Sequence, residues 1–248
     1  MSLVLLVPSW PAPKHVRAVF TERSGGASRP PFDSLNLGAH TRDAPDAVAE
    51  NRRRLREHLA LPSEPVWLNQ VHGAQVLDLD AGGESSVVPS ADAAFTRRGG
   101  RVAAVLVADC LAVLITDRLG RVAAVAHAGW RGLAGGVLRA TVERLEQAPQ
   151  ELMAWLSPGI GPAHFEVGED VRTAMLALDG GLAAAFTPNA RGRWQCDLAA
   201  IARAQLASLG IGAVHGRPPC TYAERERFFS YRRDGQCGRM AALIWLEL

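Results

Sequence analysis

A thiol and an imidazole stand at the ends of two strongly apolar runs in this sequence. Cys110 follows soon after the run Val102–Val107, and His127 closes the run Val122–Ala126. If residues 118–119 form a two-residue hairpin loop, Cys110 and His127 lie directly opposite each other, with Cβ atoms about 5 Å apart. That separation suits two ligands of one metal ion or a cysteine–histidine dyad.

The segment after His127 is rich in glycine and carries an arginine. A connection of this kind, between a strand and a helix, offers free backbone N–H groups to an anion, and Arg131 could add a clamp for phosphate. The segment is neither a P-loop nor a dinucleotide fingerprint, so on its own it is weak evidence. Asp109 is the carboxylate nearest to Cys110 in the sequence and is our candidate for a proton shuttle.

Further polar residues lie in loops that could complete a site. His72 lies in the polar loop 69–73. Arg23 and Asn36 belong to a loop rich in glycine and serine that could close over a site. Two neighbouring cations near the carboxyl end, Arg232 and Arg233, could bind an anion such as phosphate.

The elements that must position these residues are short strands mixed with amphipathic helices. Apolar residues on both faces of the central runs predict strands that are covered on both sides. The predicted strands are Val16–Phe20, Pro65–Leu68, Gln75–Leu79, Val102–Val107, Ala112–Thr116, Val122–Ala126, Met153–Leu156 and Ala241–Leu248. The predicted helices are Pro45–Leu61, Gly136–Leu145, Glu169–Leu178 and Leu198–Leu209. Because strands and helices do not alternate strictly, we expect an α+β fold with mixed β-sheets in layers flanked by helices.

Composition limits the range of functions. The chain of 248 residues is 48% hydrophobic and 21% charged, which is typical of a globular protein, and its formal net charge of +2 favours neither nucleic acid nor a membrane as partner. No apolar run approaches the roughly 20 residues of a spanning helix. Four widely spaced cysteines and a poor signal sequence predict reduced thiols in a cytoplasmic protein. Since no linker is evident, we expect one domain over residues 1–248.

Several motifs together resemble the signature of one bacterial family. It has been called polyphenol oxidoreductase (laccase), YfiH-like purine nucleoside phosphorylase and peptidoglycan editing factor. The resemblance extends over nearly the whole chain. The most specific motifs are N-Q-V-H-G at 69–73, A-D-C at 108–110 and H-A-G-W-R-G at 127–132. Further matching segments are 20–26, 32–38, 157–162, 165–168, 220–222 and 228–235.

The resemblance implies a fold, a metal and a substrate class. The fold is a single YfiH-like domain related to the catalytic domain of cytotoxic necrotizing factors. The metal ligands are His72, Cys110 and His127, which leave an open position of the kind found in catalytic zinc sites. The implied activities are phosphorolysis of purine nucleosides, with nucleoside and phosphate as small-molecule partners, and deamination of adenosine to inosine.

Two other activities remain open. A ligand set of two histidines and one cysteine can also suit copper, so a copper-dependent polyphenol oxidase is an alternative. A four-copper laccase centre is implausible, because the seven histidines include no H-x-H pair. In a third interpretation Cys110 is a nucleophile and His127 its base, in a hydrolase that edits peptidoglycan precursors. The sequence gives no indication of the oligomeric state.

Overall fold

Thirteen β-strands and six α-helices are found in residues 3–81 and 88–248, the part of the chain that the computed structural model describes. The strands are β1 (Leu5–Leu6), β2 (Val16–Thr21), β3 (Val76–Asp78), β4 (Ala93–Thr96), β5 (Val102–Val107), β6 (Leu111–Asp117), β7 (Ala123–Ala128), β8 (Leu152–Leu156), β9 (Glu166–Val167), β10 (Phe186–Pro188), β11 (Trp194–Cys196), β12 (Ala213–His215) and β13 (Met240–Leu246). The helices are α1 (Pro45–Leu59), α2 (Trp130–Ala134), α3 (Val137–Leu145), α4 (Glu169–Leu176), α5 (Leu198–Ser208) and α6 (Tyr231–Asp234).

The strands form two large sheets and one small one. One large sheet has the order β1-β2-β13-β5 and the other the order β12-β8-β6-β7-β4-β3, whereas β10-β11-β9 form the small sheet. The pairs β12–β8 and β3–β4 are parallel, and the other pairs in the described residues are antiparallel. The predicted α+β class with mixed sheets is therefore confirmed. The assignment of all 248 residues to one domain stays a prediction.

The two large sheets pack face to face, and helices cover their outer faces. Alternation of side chains along the strands produces this arrangement: Leu114 and Val125 point into the core between the sheets, whereas Val113 and Ala124 point to the other side, toward α3 and α5. On the far side of the four-stranded sheet, Leu55 of α1 packs in a third apolar cluster. The central strands are buried on both faces, as their sequence predicted.

Several predicted bounds need correction: α4 and β13, like α1, end two residues earlier than expected, and one predicted strand does not form. Residues 65–68 do not form a strand but only an isolated bridge between Val66 and Ala103, and Pro65 has no N–H with which to extend the ladder. Helix α1 ends two residues earlier than expected, because Ala60 adopts a left-handed conformation with φ 46°. No helix of the described residues is long and apolar enough to cross a membrane.

The predicted register of the central hairpin is wrong. Strand β6 pairs with β7 so that Ala112, and not Cys110, is the partner of His127. The reason is a longer connection at residues 118–122: the Asp117 carboxylate accepts hydrogen bonds from the backbone N–H and the side chain of Arg121, both at 2.6 Å. Cys110 therefore lies just before β6 and next to Gly129 instead.

Candidate metal centre

His127 is the buried histidine of the centre, and β7 positions it. Since side chains alternate along a strand, His127 shares the face of Val125, at the edge of the core between the two large sheets. Its side chain is 4% exposed. Nδ1 lies 2.9 Å from Oδ1 of Asp92, a fully buried carboxylate. This contact places the proton on Nδ1 and leaves Nε2 as the free lone pair for a metal ion.

The same carboxylate holds the loop that carries His72. Oδ2 of Asp92 accepts hydrogen bonds from the backbone N–H of Val71 (3.1 Å) and Gly73 (2.7 Å), and Oδ1 accepts from the N–H of His72 (2.9 Å). His72 has φ 60°, a left-handed conformation that non-glycine residues rarely adopt without such support. The rings of His72 and His127 lie edge to face with their centroids 4.8 Å apart. One acidic side chain thus organises both imidazoles.

Cys110 approaches the histidines through a gap that Gly129 provides. A Cβ atom placed on Gly129 would lie 2.7 Å from Sγ of Cys110, closer than any real contact. The preceding residue, Asp109, has φ 92° and is held by three hydrogen bonds. Its carboxylate accepts from the Thr221 hydroxyl and from the backbone N–H of Arg232, both at 2.7 Å, while its carbonyl accepts from an N–H at 2.8 Å. These contacts direct the chain so that the thiol enters the centre.

The electrostatics of the centre couple Cys110 to His127. Burial would raise the pKa of the thiol, but the charge of His127 and hydrogen bonds from both histidines lower it to about 6. Burial would likewise lower the pKa of His127, but the Cys110 thiolate and Asp92 raise it to about 9. The pair therefore favours a thiolate beside an imidazolium, and a bound metal ion would take the place of the imidazolium proton.

The donor atoms fit a single transition-metal ion. One atom each from His72, Cys110 and His127 lie within 4.8 Å of one another. A thiolate with two imidazoles is a donor set that binds zinc or copper, and three ligands leave a further position open. The carboxylate that fixes the tautomer of His127 is the outer partner usual for a metal-binding histidine.

The centre opens onto a cavity of about 630 Å³ that has aromatic and cationic walls. Trp130, Phe165 and Tyr231 contribute rings, and Arg131, Arg232 and Arg239 contribute guanidinium groups. The other lining residues are His40, Asn69, Gln70, His72, Leu106, Val107, Ala108, Asp109, Cys110, His127 and Ile160. A cavity of this size is in the range that holds small-molecule ligands.

The structure brings four of the other predicted polar residues into the same cavity as His72 and His127. Asp109, Cys110, Arg131 and Arg232 line the cavity. Both carboxylate oxygens of Asp109 already accept hydrogen bonds, so its part as a proton shuttle stays a prediction. Arg131 stacks on Trp130 with the guanidinium carbon 4.3 Å from the ring centroid.

Arg23, Asn36 and Arg233 do not line this cavity. Arg23 lies in a different pocket and pairs with Asp33 at 3.3 Å. Asn36 is fully buried, and its amide hydrogen-bonds within its own loop and to the backbone N–H of Arg239. The side chain of Arg233 is 7% exposed, and it donates to three backbone carbonyls. None of the three therefore lines the cavity of the metal centre, contrary to the expected placement, and their part in substrate binding stays a prediction.

Six residues of the centre and its cavity were not predicted from the sequence, namely Asp92, His40, Arg239, Trp130, Phe165 and Tyr231. Asp92 had a signal: it is an isolated acid directly before the apolar run that forms β4. No local pattern, however, links it to histidines 20 and 35 residues away. Arg239 belongs to the arginine-rich segment near the carboxyl end, in which Arg232 and Arg233 were the predicted anion-binding residues.

Known proteins resemble this chain along nearly its whole length. A family model described as multi-copper polyphenol oxidoreductase laccase matches residues 17–247. The Escherichia coli protein named purine nucleoside phosphorylase YfiH is 51% identical over 242 residues, which cover 98% of this chain and 98% of that protein. The Pseudomonas aeruginosa protein named purine nucleoside phosphorylase PA4543 is 50% identical over 243 residues, with the same coverage of both chains.

Solved structures agree with the sequence relationship. The crystal structure of Neisseria meningitidis protein NMB0706 is 45% identical, has a TM-score of 0.93, and is matched over 98% of this chain and 99% of its own. A Bacillus licheniformis structure described as hypothetical protein YfiH is 31% identical, with a TM-score of 0.89 over 94% and 93% of the two chains. Sequence identity and fold thus relate this chain to the same proteins over nearly its full length, and the chain belongs to the YfiH-like family.

Proposed function

We propose that this protein is a zinc-dependent enzyme of purine nucleosides, which catalyses phosphorolysis of adenosine, inosine, guanosine or methylthioadenosine and deamination of adenosine. The observation that carries the proposal is a centre of His72, Cys110 and His127 that opens onto a cavity with aromatic and arginine side chains. Its relatives named purine nucleoside phosphorylase support this substrate class.

The cavity suits a flat heteroaromatic base. Trp130, Phe165 and Tyr231 offer ring faces, and stacking on such rings is a general way to hold a nucleobase. Tyr231 is 60% exposed, which leaves its ring free to contact a ligand. A nucleoside bound there would lie beside the metal ligands, because the same cavity includes all three of them.

The walls also suit a phosphate anion. In the described residues, Arg131, Arg232 and Arg239 form no ion pair with a carboxylate. Asp109 is the one acidic residue among those that line the cavity. The surplus of positive charge would hold phosphate while one of its oxygens bonds to the anomeric carbon of the ribose and the carbon–nitrogen bond to the base breaks.

The metal would be held by His72, Cys110 and His127. A zinc ion there supplies a Lewis acid that activates water or polarises a group of the substrate. The chain's own residues fix the site: Asp92 keeps the proton of His127 on Nδ1, and the aromatic and arginine side chains orient the substrate. As further proposals, we infer that the protein acts in the cytoplasm on small molecules, without a nucleic-acid or membrane partner.

A copper-dependent polyphenol oxidase is the second candidate. The family model that matches the chain carries that description, and two histidines with a cysteine can bind copper. A third candidate, the hydrolase that edits peptidoglycan precursors, is favoured by the thiolate–imidazolium pair of Cys110 and His127. These candidates differ in what they require: copper and oxygen for the oxidase, and no metal for the thiol hydrolase.

The test is metal content by mass spectrometry together with adenosine turnover, with and without phosphate, in wild type and Cys110→Ala. Cys196→Ala is the matched control, because Cys196 is a buried thiol outside the centre. We expect about one zinc per chain in wild type and in the control, with adenine formed in the presence of phosphate, and loss of both in Cys110→Ala. A metal-free, active wild type would refute the proposal in favour of the thiol hydrolase, and oxygen uptake that requires copper would favour the oxidase.

A further inference from the structure

Two cationic side chains on the cavity wall come from outside the segments that hold the metal ligands. Arg239 directly precedes β13, and His40 lies in the segment before α1. Nη1 of Arg239 donates to the backbone carbonyls of Cys237 (2.8 Å) and Gly238 (3.0 Å). No group in the described part of the chain accepts from its Nε or Nη2. The guanidinium is thus fixed by the backbone and keeps two nitrogens with which to bind a ligand.

The position of Arg239 relative to the loop is also fixed. The side-chain oxygen of Asn36 accepts from the backbone N–H of Gly38 (3.0 Å) and of Arg239 (2.9 Å). A Cβ atom on Gly38 would lie 2.8 Å from Cγ of Arg239, so the loop packs closely on the arginine stem. Asn36, which the sequence analysis placed at the substrate, instead joins the loop of His40 to Arg239. Such preorganisation lowers the entropic cost of binding.

His40 lies in a positively charged environment. Partial burial at the surface, together with the charges of Arg239 and Arg52, lowers the pKa of its imidazole. Arg52 donates from Nε and Nη2 to the carbonyl of Leu37, at 3.0 and 2.8 Å, which holds its charge close to this loop. Two guanidinium groups therefore act on one imidazole, and an anion bound beside His40 and Arg239 would offset this positive charge.

We propose that Arg239 and His40 form a subsite for a phosphate group. The inference rests on the proposed function and assigns the main phosphate contacts to these two residues among the cationic side chains of the cavity. A guanidinium with free donors matches the oxygens of phosphate, and an imidazole N–H adds a third donor. Two ligands could supply the same phosphate group, namely free inorganic phosphate and the 5′-phosphate of a nucleotide.

The test measures binding directly, without turnover. Calorimetric titration of the as-purified protein with inorganic phosphate, and separately with adenosine 5′-monophosphate, is compared among wild type, Arg239→Gln and His40→Glu. Because His40 is exposed, His40→Glu is expected to fold normally while its carboxylate pairs with Arg239 and repels the anion. Arg101→Gln is the matched control, since Arg101 is an exposed arginine outside the cavity.

We expect phosphate affinity to fall about tenfold or more in both cavity variants, because a charge-assisted hydrogen bond is lost, and to stay unchanged in Arg101→Gln. The KM for phosphate should rise by the same factor, with the KM for adenosine within about twofold. If wild type binds adenosine 5′-monophosphate but not inorganic phosphate, and both variants bind the nucleotide more weakly, the subsite is supported and phosphorolysis is refuted. Phosphate bound equally by all variants, or neither anion bound by wild type, would overturn the subsite, whereas normal phosphorolysis in both variants would leave the proposed function intact.

Discussion

Replacement of Asp92 by asparagine tests how the metal centre is held together. The change keeps the size of the side chain and removes its charge. Oδ2 accepts from the N–H of Val71 and Gly73, and Oδ1 accepts from the N–H of His72 and from Nδ1 of His127, at 2.7 to 3.1 Å. Four donors therefore converge on one buried carboxylate. An amide cannot satisfy them, because one of its two polar atoms is itself a donor.

The size of the effect follows from these four contacts. In either orientation of the amide, its NH2 group faces two donors, and each unsatisfied buried N–H costs about 1–3 kcal/mol, so we expect a loss of about 2–6 kcal/mol in the free energy of unfolding. If the NH2 group takes the place of Oδ1, Nδ1 of His127 must accept and the proton moves to Nε2, which then cannot bind a metal. Loss of such an outer partner typically lowers metal affinity about 10–100-fold.

The assay is zinc affinity by competition with a chelator, together with denaturant unfolding of metal-free protein. Asp117→Asn is the matched control: the Asp117 side chain is 0% exposed and pairs with Arg121 away from the cavity. It should lower stability and leave zinc affinity unchanged. If Asp92→Asn bound zinc as tightly as wild type, the inference that Asp92 organises both histidines would be refuted.

Three further predictions concern the thiol and its surroundings. Gly129→Ala should lower zinc affinity about tenfold by displacing Sγ of Cys110, whereas Gly180→Ala, where a Cβ meets nothing within 4 Å, should not; chelator competition compares the two. In metal-free protein, iodoacetamide should label Cys110 with a midpoint near pH 6, because its pKa is lowered to about 6, and should spare Cys196, whose pKa burial raises to about 12; mass spectrometry checks both. Arg233→Ala should cost about 2–4 kcal/mol in denaturant unfolding, because three carbonyls lose a charged donor.

The positions of the central strands were predictable, because strands buried on both faces appear in the sequence as continuous apolar runs. β5 has the predicted bounds, Val102–Val107, since both of its faces lie against apolar layers and the composition changes sharply at each end. The hairpin register was not predictable by the same argument. It depends on the side chain of Asp117, which binds Arg121 and lengthens the connection, and hydrophobic periodicity contains no information on such a contact.

The proximity of the candidate metal ligands was predictable from motifs, but the substrate side of the cavity was not. Arg232 and Arg233 are neighbours in the sequence, yet the one-turn helix α6 sends them in different directions, because successive helical residues are about 100° apart. Arg232 therefore lines the cavity, whereas Arg233 is directed inward to backbone carbonyls. Only tertiary structure distinguishes the two.

The two loops that present ligands share one physical design. Each contains a residue with positive φ, His72 at 60° and Asp109 at 92°, and such conformations cost about 1–3 kcal/mol each. A buried carboxylate holds each loop. Asp92, which is distant in sequence, accepts N–H donors from the His72 loop, and Asp109 accepts donors from Thr221 and Arg232. These hydrogen bonds offset the strain in the folded chain without a bound metal. The ligand geometry is therefore a property of the folded chain, and metal affinity should respond to changes in these carboxylates even though neither is a ligand.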